Sequence, residues 1–197
     1  MNELLSPVKA ADVLAARIQS LQKGRVLVAI DGMAASGKTT LAAALHAALP
    51  GSILIPMDDF FLPPEKRCGE YFKQHLANAD IERFESEVLS PLLSGEAISY
   101  RPFVCHPEMK FLPAVNIPAG WRIALVEGAY CLHPALFDAY DLRILMTISP
   151  ETQKARILKR NGEDMLLRFL RTWIPMENAH IAARQLLTRC DVHIHTP

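Results

Sequence analysis

The densest chemistry in this chain lies in eight consecutive residues, Gly32-Met33-Ala34-Ala35-Ser36-Gly37-Lys38-Thr39, which meet the spacing GxxxxGK[ST] without a mismatch. Glycines at these positions let successive backbone N–H groups curl around phosphate oxygens, and a helix opening at Lys38 adds the partial positive charge of its N-terminus. The backbone of Gly32, Ala34, Ala35, Ser36, Gly37 and Thr40 is expected to cradle a triphosphate. Lys38 would neutralise its β- and γ-oxygens, and the Thr39 hydroxyl would ligate Mg²⁺. The spacing therefore predicts ATP and Mg²⁺ as cofactors and phosphoryl transfer as the chemistry.

Two further acidic positions suit that chemistry. Ile123-Ala124-Leu125-Val126-Glu127-Gly128 is an apolar run ending in an acid, so Glu127 is expected to order Mg²⁺ or its waters. Asp58 and Asp59 end another apolar run, over 53–57, and ligands in open α/β sheets bind beyond the carboxyl ends of strands. Neighbouring side chains there point opposite ways, so one of the pair should face the γ-phosphate and the other solvent or a turn. Arg156 and Arg160 lie four apart on one helical face, with Arg168 and Arg171 beyond a polar Asn161-Gly162 break. Arginines on a flap over about 154–178 would close on a transferring phosphoryl group and spread its charge. His193 and His195 lack acidic or cysteine company and are read as an ordinary strand face.

These residues need a scaffold, and the hydrophobic pattern supplies one. The near-continuous apolar runs at 25–31, 53–57, 123–126, 142–148 and 192–194 read as strands covered on both faces. Between them lie helical patterns at 38–49, 151–160 and 164–188, and Ser6-Pro7 caps another that ends near Gly24. Strands alternating with helices imply an α/β fold, a doubly wound parallel sheet in a single domain spanning 1–197. The proline-rich stretch 60–121 breaks the rhythm. It carries one amphipathic helix, with Ile81, Phe84, Val88 and Leu92 on a face, and a hairpin around 98–117, and is read as a substrate-binding insertion.

Composition narrows the partners. The 21 basic residues cancel the 21 acidic ones, which leaves no net field for nucleic acid or an anionic membrane and favours a small-molecule acceptor. No stretch approaches the roughly 20 apolar residues of a membrane span, and the N-terminus lacks signal-peptide order, so the cytoplasm is the expected location. Cys68, Cys105, Cys131 and Cys190 form no CxxC pair and are read as reduced thiols. Both a monomer and a homo-oligomer fit the sequence.

Taken together, Gly32 to Thr40, Met57-Asp58-Asp59-Phe60-Phe61, Tyr100-Arg101-Pro102-Phe103 and Val126-Glu127-Gly128 make the chain, over residues 24–195, resemble the uridine kinase branch of the phosphoribulokinase/uridine kinase family of P-loop kinases. That resemblance implies a five-stranded parallel sheet of order 2-3-1-4-5. It also implies Asp58 as catalytic base, Glu127 as a Mg²⁺ ligand and Arg160 as the flap arginine. The family's DHP-type run, whose Asp bonds ribose hydroxyls, is here Gln74-His75-Leu76. Its Tyr-Asp-Phe base-pocket segment is Phe103-Val104-Cys105, followed by His106. Gln74, Phe103, His106 and Arg156 are thus the expected acceptor-side residues. A kinase acting on a nucleoside 5′-OH is the reading that results. A kinase for another alcohol, such as a vitamin precursor or a sugar phosphate, stays open, as does a nucleotide switch or ATPase, although no NKxD guanine motif is present.

Overall fold

The computed structural model describes residues 7–67, 77–105 and 109–197; Ser6, Cys68, Gln74 and His106 lie outside them. Each apolar run becomes a strand of one parallel sheet: β1 Val26–Gly32, β2 Ser52–Pro56, β7 Ile123–Glu127, β8 Leu142–Ile148 and β9 Val192–Thr196. Their order is β2-β7-β1-β8-β9, with every pairing parallel. Counted in chain order, these five strands run 2-3-1-4-5. Central β1 is buried along its whole length, which is why its sequence VLVAIDG has no polar alternation before Asp31.

Helices α1 (Pro7–Ser20) and α2 (Lys38–Ala48) cover one face of the sheet. Ala10, Leu14 and Ile18 of α1 and Leu41 and Leu45 of α2 share a core with Val28, Ile30 and Ile144. On the other face Phe60, Phe84, Trp121, Leu136 and Ile181 pack with Leu27, Ala124 and Val126.

The 60–121 stretch contributes much of that second layer. Ile81, Phe84, Val88 and Leu92 are all fully buried, as their helical spacing predicts. They lie on α3 (Ile81–Phe84), a π-turn over Glu85–Leu89, and α4 (Ser90–Ser94). The expected hairpin is a pair of antiparallel ribbons, β3 (Ile98–Tyr100) with β6 (Val115–Ile117) and β4 (Phe103–Val104) with β5 (Lys110–Phe111).

Beyond a short α5 (Pro134–Phe137), and as the Asn161-Gly162 break predicts, α6 (Pro150–Arg168) is two helical segments joined across a kink at Gly162, whose φ of 78° and ψ of 175° are non-helical. A π-turn over Phe169–Trp173 leads into α7 (Ile174–Ala183), and Gln185, at φ 52°, separates this from α8 (Leu186–Arg189). Both π-turns end two residues before a helical proline, Pro91 and Pro175. A proline has no N–H for the carbonyl four residues back, and widening the preceding turn accommodates that loss without breaking the helix. Among the described residues no helix is long and apolar enough to cross a membrane.

Candidate active site

The loop between β1 and α2 is held by its carbonyls. Lys38 Nζ donates to Gly32 O at 2.8 Å and Met33 O at 2.9 Å. Gln153 Nε2 donates to Ala34 O at 3.0 Å, Arg156 Nη1 to Ala35 O at 3.1 Å and Thr196 Oγ1 to Ser36 O at 3.0 Å. Five consecutive carbonyls are therefore occupied, while α2 begins at Lys38 with its first-turn N–H groups lacking intrahelical partners. Gly32 cannot be replaced here: a Cβ on it would come within 1.9 Å of Met146 O on β8.

Not every N–H of the motif remains for a phosphate. Gly32 N donates to Asp31 Oδ1 at 2.6 Å, Ser36 N to Met33 O at 3.2 Å, and Ala34 N to Glu177 Oε2 at 2.7 Å. The N–H groups of Gly32, Ala34 and Ser36 thus have partners within the chain. Ala34, Ala35, Gly37, Lys38, Thr39 and Thr40 line the open cleft.

That cleft, about 720 Å³, also contains Asp58, Glu127, Arg156 and Arg160. Its size is that of a small-molecule site. Glu127 ends β7 and is buried, and Thr39 Oγ1 donates to its two carboxylate oxygens at 3.3 and 3.4 Å. Asp58 and Asp59 lie one step past β2, in a 3-10 turn over Met57–Phe60 rather than on the strand itself. The approach of that turn to β7 depends on Gly128, whose φ is +139° and whose added Cβ would stand 2.7 Å from Met57 Cβ and 3.3 Å from Asp58 Oδ1.

The two aspartates diverge. Asp58 opens to the solvent of the cleft, yet the surrounding walls desolvate it. That raises its pKa above the ordinary carboxylate value; Asp59 adds to the rise, and Lys38 and Arg160 oppose it. Asp59 accepts from Tyr100 Oη at 2.9 Å and does not line the cleft. Desolvation, with the Asp58 charge second, also raises Glu127, against Lys38 and the Thr39 hydroxyl. Thr39, Glu127 and Asp58 offer hard oxygen donors on one side of the cleft. Among the described residues no group of three or more His, Cys, Asp or Glu could hold a metal alone, so a cation there would need phosphate oxygens and water as well.

Of the acceptor-side expectations, Gln74 and His106 fall outside the described residues. Phe103 does not reach the cleft: β4 pairs it with Phe111 of β5, and its ring packs edge-on against Phe111 at 5.1 Å. Arg156 lines the cleft and donates to Ala35 O of the phosphate loop. Arg160 lines the cleft, donates to Asn161 Oδ1 at 2.7 Å and lies 5.9 Å from the Phe169 ring. Arg168 and Arg171 are exposed and line no part of it. Phe61, Arg67, Asn78 and Cys105 form a wall that sequence reasoning missed, and Met165, Phe169, Trp173 and Glu177 another. The i,i+4,i+8 spacing of Met165, Phe169 and Trp173 was the available signal for the latter.

Comparison with known proteins agrees with this architecture. No family model matches the chain. In structure it is similar to a "possible uridine kinase" from Bacillus stearothermophilus, with a TM-score of 0.72 at 20% identity over 94% of this chain and 97% of that one. It is also similar to D-glycerate 3-kinase from Cryptococcus neoformans, with a TM-score of 0.59 at 13% identity over 86% and 85%. The chain has the P-loop kinase fold. In sequence the chain is similar to nicotinamide riboside kinase 2 of Homo sapiens, 34% identical over 141 residues that make up 70% of this chain and 58% of that protein. The mouse protein of the same name is 33% identical over 143 residues, 67% and 66% respectively. Uridine-cytidine kinase C of Dictyostelium discoideum is 25% identical over 148 residues, 73% and 32%. The chain thus spans between 32% and 66% of the length of these curated relatives. Nucleoside kinases among the relatives and a uridine-kinase-like neighbour in structure agree with the branch that its motifs resemble.

Proposed function

We propose that this chain is an ATP-dependent kinase that transfers the γ-phosphate to a hydroxyl of a small molecule, with a nucleoside 5′-OH as the favoured acceptor. The observation that carries this reading is the convergence of Lys38, Thr39, Glu127 and Asp58 in one cleft, with Arg156 and Arg160 on its rim. A phosphate loop alone would serve a switch or an ATPase. A desolvated carboxylate facing a further, partly apolar compartment is what an acceptor needs.

In this assignment the N–H groups of Ala35, Gly37, Lys38, Thr39 and Thr40 hold the triphosphate, with Lys38 shifting from its carbonyl partners toward the β/γ-oxygens. Thr39, Glu127 and Asp58 would hold Mg²⁺, which when bound neutralises the phosphate oxygens. Asp58 accepts the proton of the acceptor hydroxyl as the new O–P bond forms and the bond to the ADP oxygen breaks. Arg160 and Arg156 screen the charge on the transferring group. Gln74 and His106 stay assigned to the acceptor, joined by Phe61, Arg67, Asn78 and Cys105.

One observation favours a second reading of the acceptor. Arg67 is held by Leu62 O at 2.7 Å and Cys105 Sγ at 3.0 Å, and among the described residues it has no carboxylate partner. A half-buried guanidinium facing a neutral thiol suits an acceptor with a carboxylate or phosphate, such as a sugar phosphate. ADP release by the purified chain with Mg²⁺·ATP, across nucleosides, sugar phosphates and vitamin alcohols, tests both. A several-fold rise with one class identifies the acceptor, and a rate that is flat across the panel overturns the kinase assignment.

A further inference from the structure

Helix α7 reaches behind the phosphate loop with two side chains one turn apart. Glu177, buried, accepts from Ala34 N at 2.7 Å. His180, also buried, meets Asp31 Oδ2 at 3.2 Å through Nε2. Asp31 in turn accepts from Gly32 N, from Tyr130 N at 3.2 Å and from Leu132 N at 2.8 Å. On α6, Gln153 is buried and donates to Ala34 O at 3.0 Å. Ala34 is therefore gripped at both its N–H and its carbonyl, by side chains 143 and 119 residues away.

The residue that follows shows why a grip is needed. Ala35 has φ 60°, the left-handed region that L-residues other than Gly, Asn and Asp seldom occupy. Such a conformation persists only where the surroundings over-determine it. Fixing Ala34 on one side and Ala35 O, through Arg156, on the other supplies that constraint. Resting on the kinase reading above, we propose that Glu177 and Gln153 are positioning residues of the donor site: they hold Ala34 so that Ala35 stays left-handed and the N–H groups after it converge on the phosphates. Gln153 shares the α6 segment before the Gly162 kink with Arg160, and Glu177 shares the helical run after it with Phe169 and Trp173, so the two contacts tie the cleft's far wall to the phosphate loop from both sides of the kink.

The test is direct titration of the full chain with Mg²⁺·ATP, without acceptor, alongside circular dichroism. Glu177→Ala and Gln153→Ala are each expected to weaken binding roughly tenfold, the scale of one lost hydrogen bond to a buried group. Glu177→Gln keeps an oxygen for the Ala34 N–H and should stay within about threefold of wild type. Adding Ala35→Gly to Glu177→Ala should recover at least half of the logarithmic loss, because glycine holds φ 60° without strain. A purely structural role would lower melting temperature without such a rescue. Wild-type affinity in folded Glu177→Ala, or no recovery on adding Ala35→Gly, overturns the proposal. Should the wild type bind no ATP, the kinase reading falls instead, and amide exchange then judges the grip: Ala34 N–H protected in wild type and unprotected in Glu177→Ala supports it, and equal exchange refutes it.

Discussion

Asp58 and Asp59 are adjacent in sequence but unequal in surroundings. Tyr100 Oη occupies Asp59, whereas Asp58 faces Lys38, Glu127 and Arg160. Asp58→Asn keeps the shape but removes the base, and base catalysis typically contributes about 10²–10⁴-fold. A fall in kcat of that size is expected; Asp59→Asn should cost less than about tenfold, roughly 1.4 kcal/mol. Steady-state rates at saturating Mg²⁺·ATP decide it, and a larger loss at Asp59 would transfer the role. Arg67 offers a separate check on the acceptor: Arg67→Ala should raise acceptor KM about tenfold or more if the acceptor is anionic and leave ATP KM within about twofold, losing one charged hydrogen bond. Equal KM values for the acceptor in both proteins would return the choice to a neutral nucleoside.

At the scale of elements, the placement of Asp58 depends on how closely the 57–60 turn approaches the end of β7, and Gly128 sets that distance. Gly128→Ala would drive a methyl into Met57 and toward Asp58 while imposing φ +139° on an alanine, at a cost of about 1–3 kcal/mol. The expected outcome is a lower melting temperature together with a kcat loss exceeding the loss in ATP affinity, read by calorimetry and by separate binding and rate measurements; a rate at the wild-type level would show that the turn tolerates the displacement. What could be read from the sequence follows the same logic of distance along the chain. The phosphate loop, the strand-end acid Glu127 and the 81–92 apolar stripe are contiguous or periodic, so local spacing revealed them. Glu177, Gln153 and His180 were not legible, because their partners lie 119 to 149 residues away and depend on where α6 and α7 dock. Phe103 misled for a related reason. Family resemblance alone had placed it in a base pocket, whereas strand pairing seats it against Phe111.

For the molecule as a whole, two buried carboxylates behind the phosphate loop pull stability in opposite directions with pH. Burial alone would raise the pKa of Asp31, but His180 beside it, the Leu132 N–H and Lys38 outweigh burial and hold it below the ordinary value. Its contribution is present above the unfolded-state pKa and is lost as pH falls through its lower native one. For Glu177, burial raises the pKa to about 6 from 4.5, against Lys38 and the Ala34 N–H and reinforced by Asp31 and Asp58. A raised native pKa acts the other way: stability is full below 4.5 and declines as pH rises through about 6, because the fold must then hold a buried charge. The decline amounts to about 2 kcal/mol by pH 8 at 1.36 kcal/mol per pKa unit. Glu177→Gln abolishes that ionisation while keeping an acceptor for Ala34 N–H. The melting temperature of the variant relative to wild type should therefore climb between pH 4.5 and pH 8 by about 4–8 °C, taking about 2–4 °C per kcal/mol for a chain of this size. Thermal scans of both proteins at half-unit pH steps measure the gap directly. A gap that stays constant across this range would mean that Glu177 does not titrate there and that its charge is carried without cost to the fold.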